Sequence, residues 1–139
     1  MRAGAGSSEP TGGRVGVTVP FEGLELHEHR EPLARLVAAG YSEVSSMEVN
    51  ALDGLSPLLL ASAWEPGLTL SCSVVSAFTR GPAILAMTAA GLAEAAPGRA
   101  RFGIGAGSDR VVEDFNGIPF ARALHAGRAD AALPTGGAP

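Results

Sequence analysis

Short apolar runs alternate with longer amphipathic stretches through the middle of the chain. Strands are predicted where β-branched and apolar residues cluster, in RVGVTVP, YSEVSSMEV, LTLSCSVVSAF and RARFGIGAG. Helices are predicted where apolar residues recur at helical spacing and where proline or glycine marks an end, in HREPLARLVAAG, SPLLLASAW and GPAILAMTAAGLAEAAPG. For SPLLLASAW, Ser56 is the predicted N-cap and Pro57 the first helical residue. A weaker fourth helix is predicted in FARALHAGRADAA.

This alternation predicts βαβ units, which have parallel strands and right-handed crossovers. The strands look almost continuously apolar, as expected for a sheet that helices cover. Two α/β architectures fit the pattern: a small doubly wound sheet, or the first half of a (β/α)8 barrel. A complete barrel takes about 250 residues, so a chain of 139 residues can supply only four βα units.

Composition and charge narrow the function classes. The formal net charge is −4 and all ten basic residues are arginine, so neither nucleic acid nor an anionic membrane is an expected partner, and lysine chemistry is excluded. Cys72 is the only cysteine, which favours a reducing cytoplasm. No secretory signal or membrane span is predicted. We expect a flexible arm over residues 1–13, one domain over 14–130 and a flexible tail over 131–139.

A glycine-rich turn follows the fourth predicted strand. Gly103, Gly105 and Gly107 alternate, but Ser108 stands where the dinucleotide fingerprint has its third glycine, and no phosphate-loop lysine follows. Two interpretations remain open at this point. The glycines either allow close packing in a crowded sheet, or form a backbone floor beneath a planar ligand at the carboxyl end of a parallel strand.

Polar side chains follow the second and third predicted strands. Glu48, Asn50 and Asp53 could act as bases or hydrogen-bond acceptors, or could serve only to cap a helix and shape a turn. Arg80 is the best candidate for contacting a carboxylate or phosphate, although a loop arginine is usually solvated. His27 and His29 lie two residues apart and so point away from each other on a helix, and no metal site is predicted.

Four segments together resemble the luciferase-like monooxygenase family, in the branch that uses the deazaflavin coenzyme F-420: RVGVTVPFEG, SSMEVNALDG, SVVSAFTRGPA, and ARFGIGAGS with the following VVEDFNGIPFARAL. They occur in order and with matching spacing over residues 14–126. The resemblance implies a partial TIM (β/α)8 barrel whose first four parallel strands run in sequential order. It also implies coenzyme F-420, or alternatively FMN, at the carboxyl ends of the strands, with hydride transfer to or from an organic substrate.

The resemblance also implies site residues. Glu48 matches an acidic position beside the ring and is the expected catalytic residue. Ser73 and Val74 match a bulge in the third strand, which in this family often contains a non-proline cis peptide behind the ring. The turn beside the cofactor is matched by Gly105, Ala106, Gly107 and Ser108.

The sequence also departs from the family pattern. Val49 stands where some members have a histidine, and the segments that would form strands five to eight and bind the cofactor phosphate are not found. We therefore expect a truncated protein with weak cofactor binding, little activity and open sheet edges that favour homo-oligomers. The alternative is a non-enzymatic fragment or interaction module that associates with another chain.

Overall fold

A computed structural model describes residues 14–49 and 52–120. Its strands are β1 (Gly16–Thr18), β2 (Glu43–Met47), β3 (Thr69–Ser76) and β4 (Ala100–Gly105), and its helices are α1 (Arg30–Ala38), α2 (Ser56–Trp64) and α3 (Pro82–Ala95). A 3-10 turn at Leu26–His29 leads into α1, and a π-helical turn at Arg110–Asp114 follows β4. The predicted arm, tail and fourth helix, and Asn50, lie outside the described residues.

The order of the strands decides between the two predicted architectures. All four are parallel and lie side by side in the sequential order β1-β2-β3-β4. A doubly wound sheet reverses its strand order at a switch point, and this sheet has no such reversal among the described strands. The partial barrel is therefore confirmed.

The core lies between one face of the sheet and the helices. Val44, Leu70 and Val75 from the strands are fully buried there against Leu58 and Leu85 of the helices. Burying each such side chain stabilises the fold by about 1.5–3 kcal/mol. Among the described residues, no helix combines the length and apolarity needed to cross a bilayer.

The opposite face of the sheet is polar. Thr18 and Ser45 share a hydrogen bond of 2.9 Å between their hydroxyls, and Arg101 reaches across β3 to Glu43 at 2.9 Å. Burial alternates along β2 and the first half of β3, so the prediction of continuously apolar strands is wrong for these two. The reason is that the described helices cover one face only, and strand side chains alternate between faces.

The start of α2 differs from the predicted N-cap. Ser56 is the first helical residue. Asp53 satisfies the backbone N–H groups at this end of the helix, because its Oδ1 accepts hydrogen bonds of 2.9 Å from both Leu55 and Ser56. Pro57 lies in the first turn, as predicted. An aspartate bonded to the backbone two and three residues later is a common local turn, and its charge is favourable at a helix N-terminus.

His29 is used by the fold itself. Its ring is buried and stacks on Phe21 at 4.9 Å between centroids. Its Nε2 accepts a hydrogen bond of 2.6 Å from the Phe21 N–H, and its Nδ1 donates one of 2.8 Å to the Glu25 carbonyl. Since both nitrogens are occupied, His29 has no lone pair to offer a metal, and the described residues contain no group of three potential metal ligands.

Candidate functional site

A cleft of about 600 Å³ opens at the carboxyl ends of β2, β3 and β4. This is the edge of a parallel sheet where α/β proteins build their ligand sites. Apolar and polar side chains line the cleft in equal number, and the polar groups come from the loops after β2 and β3 and from the turn after β4. The lining residues are Glu48, Val49, Leu52, Asp53, Thr79, Arg80, Ile84, Val111, Phe115 and Asn116.

The chemical centre of the cleft is an ion pair between Glu48 and Arg80. Arg80 donates from Nε to both carboxylate oxygens, at 3.2 and 3.1 Å, and from Nη2 to Oε2 at 2.5 Å. Each side chain is only 21% exposed. The hydrogen bonds to Glu48 raise the pKa of Arg80 above its usual range, so the guanidinium remains charged. The Gly54 N–H adds a longer contact of 3.4 Å to Glu48.

Asp53 places a second carboxylate in the same cleft. Burial alone would raise the pKa of Asp53, but hydrogen bonds from Ser56 and Leu55 and the charge of Arg80 outweigh it, and the pKa is lowered. Asp53 is therefore ionised at neutral pH. The described residues that line the cleft thus carry two carboxylates and one guanidinium.

The third strand contains the predicted bulge. Cys72 pairs with Phe102 of β4 and Val75 with Ile104, so Ser73 and Val74 together oppose one residue. The bulge also determines where Glu48 lies, because the Val74 carbonyl accepts a hydrogen bond of 3.0 Å from the Glu48 N–H. The peptide bond between Ser73 and Val74 is trans. The cis bond of the described residues joins Val19 to Pro20.

The glycines of β4 give room to this bulge. A Cβ added to Gly103 would lie 2.1 Å from the carbonyl oxygen of Ser73, and one added to Gly105 would lie 2.6 Å from Cγ2 of Val74. Gly107 has a φ of 76°, a conformation that favours glycine. Close packing against the neighbouring strand is therefore enough to explain the spacing of these glycines, and no ligand is required.

The predicted site residues separate into two groups. Glu48 lines the cleft, whereas the bulge and turn residues do not. The cofactor role of Ser73, Val74, Gly105, Ala106, Gly107 and Ser108 stays a prediction.

Sequence reasoning gave no role to several cleft residues, among them Leu52, Ile84, Phe115 and Asn116. Phe115 is 53% exposed and is flanked by the Arg110 guanidinium, 5.6 Å from its ring centroid. The available sequence signal was a phenylalanine among the polar residues of VVEDFNG, but single apolar residues are common on protein surfaces.

Cys72 is buried beneath the cleft, and burial together with the nearby Glu48 carboxylate raises its thiol pKa to about 11, from an ordinary 9.0. Between these two pKa values the Cys72 thiol stays protonated in the folded protein but loses its proton in the unfolded chain. Stability should therefore be unaffected below about pH 8 and fall as the pH rises through 9 towards 11, by about 1.4 kcal/mol for each pH unit within that window.

This prediction is tested by denaturant unfolding at pH 8 and pH 10. The wild-type protein should lose about 1 kcal/mol more than the Cys72→Ala variant, which lacks the titrating thiol. Equal losses in the two proteins would show that Cys72 is not the responsible group.

Comparisons with known proteins identify the family. Among curated proteins, no match was found. A family model, described as luciferase-like monooxygenase, matches residues 4–128 and so covers most of the chain, including all four strands and the cleft. The sequential parallel sheet and the site at its carboxyl edge agree with that match. The chain belongs to the luciferase-like monooxygenase family.

Proposed function

We propose that this protein is an oxidoreductase that transfers a hydride between coenzyme F-420, or alternatively FMN, and an organic substrate held in the cleft. The family generally uses flavin or deazaflavin cofactors, and such a cofactor supplies the hydride-carrying ring when it is bound. The observation that carries the proposal is the cleft itself, which lies at the carboxyl edge of the sheet.

The residues of the cleft fit a planar heterocycle. Its volume of about 600 Å³ lies within the usual range for small-molecule sites. Apolar side chains such as Leu52 and Ile84 can pack against ring faces. The amide of Asn116 donates one N–H to the Val111 carbonyl and can donate the other to a ring carbonyl oxygen. The hydroxyl of Thr79 donates to the Ser76 carbonyl and can accept a hydrogen bond from a ring N–H. The ring would therefore be both packed and oriented by side chains of this chain.

Glu48 and Arg80 are two of the three charged residues among the described residues that line the proposed site. Glu48 is the proposed catalytic residue, and both of its oxygens already accept hydrogen bonds from Arg80. A carboxylate held in this way is fixed in place, because Arg80 occupies both of its oxygens. In this proposal its main contribution is to orient groups at the reacting edge. Ser73 and Val74 support it from outside the cleft, because the Val74 carbonyl accepts a hydrogen bond from the Glu48 N–H, and the turn from Gly105 to Ser108 begins beside that bulge.

Cofactor titration tests the proposal. We expect saturable quenching of cofactor fluorescence when purified protein is titrated with coenzyme F-420 or with FMN, in separate experiments. The tighter ligand identifies the preferred cofactor. Phe115→Ala should weaken that binding several-fold because it removes an aromatic wall of the cleft.

Leu59→Ala is the matched control, since Leu59 is also an exposed apolar residue but does not line the cleft. It should leave the affinity unchanged. A flat response to both cofactors at high concentration would contradict the proposed function.

The family match favours this activity over the interaction-module alternative. A cytoplasmic location and homo-oligomerisation through the sheet edges stay predictions. They do not affect the cofactor experiment.

A further inference from the structure

The positive charge in the cleft is already paired with a carboxylate of the protein before any ligand binds. Arg80 is the cation among the described lining residues, and its Nε and Nη2 donate to Glu48. Asp53 adds a second carboxylate without a second cation. A ligand that approaches Arg80 therefore meets a neutralised guanidinium, and the cleft as a whole has an excess of one negative charge.

The remaining surface of the cleft is suited to an apolar ligand. Val49, Leu52, Ile84, Val111 and Phe115 line it, and four of them are among the large apolar residues that stay exposed. Exposed apolar side chains gathered in one concave site are typical of ligand binding. An anionic group would lose its hydration there, while Arg80, the cation among the described lining residues, is already paired with Glu48, which is unfavourable for its binding.

We propose that Glu48 determines the ligand class of the cleft: by occupying Arg80, it makes the cleft accept uncharged apolar compounds and reject organic anions. The inference rests on the proposed function in one respect, because the substrate of the hydride transfer would be the compound that the cleft selects. The selectivity applies only to the part of a ligand that enters the cleft. The phosphate of either cofactor is carried on a side chain remote from the ring, so it need not enter the cleft.

Two probes of the same shape and different charge test this selectivity. 4-Fluorobenzamide is uncharged and 4-fluorobenzoate is anionic at pH 7.5, and fluorine NMR gives a Kd for each without any cofactor. For the wild-type protein we expect the amide to bind at least about tenfold more tightly than the carboxylate. Phe115→Ala should weaken the amide several-fold, which assigns its binding to the cleft.

Glu48→Gln should reverse the preference, because it removes the competing carboxylate and leaves Arg80 available. The Kd of the benzoate should fall about tenfold or more, while that of the amide changes little. Combining Glu48→Gln with Arg80→Gln should abolish this increase in affinity for the benzoate. Glu43→Gln is the matched control: it also breaks a glutamate–arginine pair, but on the polar face of the sheet, and should leave the selectivity unchanged.

A measurement on the wild-type protein keeps the test independent of how well the variants fold. Raising the salt concentration from 20 to 500 mM should reduce the preference for the amide, because ions screen the partly exposed charges. Four results would each overturn the inference: equal binding of the two probes, no binding of either, an unchanged benzoate Kd in folded Glu48→Gln, or selectivity independent of salt. Loss of cofactor binding with intact probe selectivity would instead contradict only the proposed hydride transfer.

Discussion

Gly103→Ala should destabilise the protein by about 3 kcal/mol or more. The added methyl group would lie 2.1 Å from the carbonyl oxygen of Ser73 and 2.9 Å from its carbonyl carbon. Both atoms belong to the backbone of the neighbouring strand, so no rotation of a side chain can relieve the overlap. The bulge of β3 or its pairing with β4 must change instead.

The matched control is Gly91→Ala in α3. A Cβ there would have no atom within 4 Å apart from its chain neighbours and the backbone of its own helix, and alanine stabilises a helix interior by about 0.8–1.0 kcal/mol relative to glycine. The two glycine-to-alanine changes should therefore have opposite signs in urea unfolding followed by circular dichroism. Equal effects, or a Gly103→Ala variant as stable as the wild type, would show that the bulge is not fixed by this contact.

The ion pair in the cleft should also contribute measurably to stability. A double-mutant cycle with Glu48→Gln and Arg80→Gln should give a coupling energy of about 2 kcal/mol, because the pair is bidentate and mostly buried. Removing Arg80 alone should cost more than removing both charges, since it leaves a partly buried carboxylate without its partner.

Glu43 and Arg101 form the reference cycle. Their contact is a single hydrogen bond and the Arg101 side chain is 50% exposed, so the coupling energy should be about 0.5 kcal/mol. Denaturant unfolding of the two sets of variants measures both values. Coupling energies of similar size would mean that solvent screens the cleft pair as effectively as the surface pair.

Gly103 and the ion pair of the cleft are connected through the bulge of β3. Gly103 makes room for the bulge at Ser73, and the bulge presents the Val74 carbonyl that holds the Glu48 backbone. Glu48 in turn binds Arg80. A change at Gly103 should therefore disturb the cleft as well as the sheet, although Gly103 does not line it. We expect the Gly103→Ala variant to lose probe selectivity even where it remains folded.

The sequence alone determined the elements and their order. Serine, proline and glycine at the ends of the helices predicted α2 and α3 almost to the residue, because these signals are local. The bulge in β3 and the family were also predicted, from motifs whose spacing is specific. The boundaries of the strands were less accurate, since the ends of a strand depend on its neighbours.

Only the tertiary structure decided what the polar and glycine residues do. Asp53, not Ser56, satisfies the start of α2, and Glu48 pairs with an arginine 32 positions away. The glycines of β4 face a strand that lies about 30 residues earlier, so their spacing by itself could not distinguish close packing from a ligand floor. The sequence also did not predict that one face of the sheet is polar. The crossovers and the strand order determine which face the helices cover, and both belong to the tertiary structure. Pairings over such sequence distances depend on how the chain folds, and local patterns do not encode them individually.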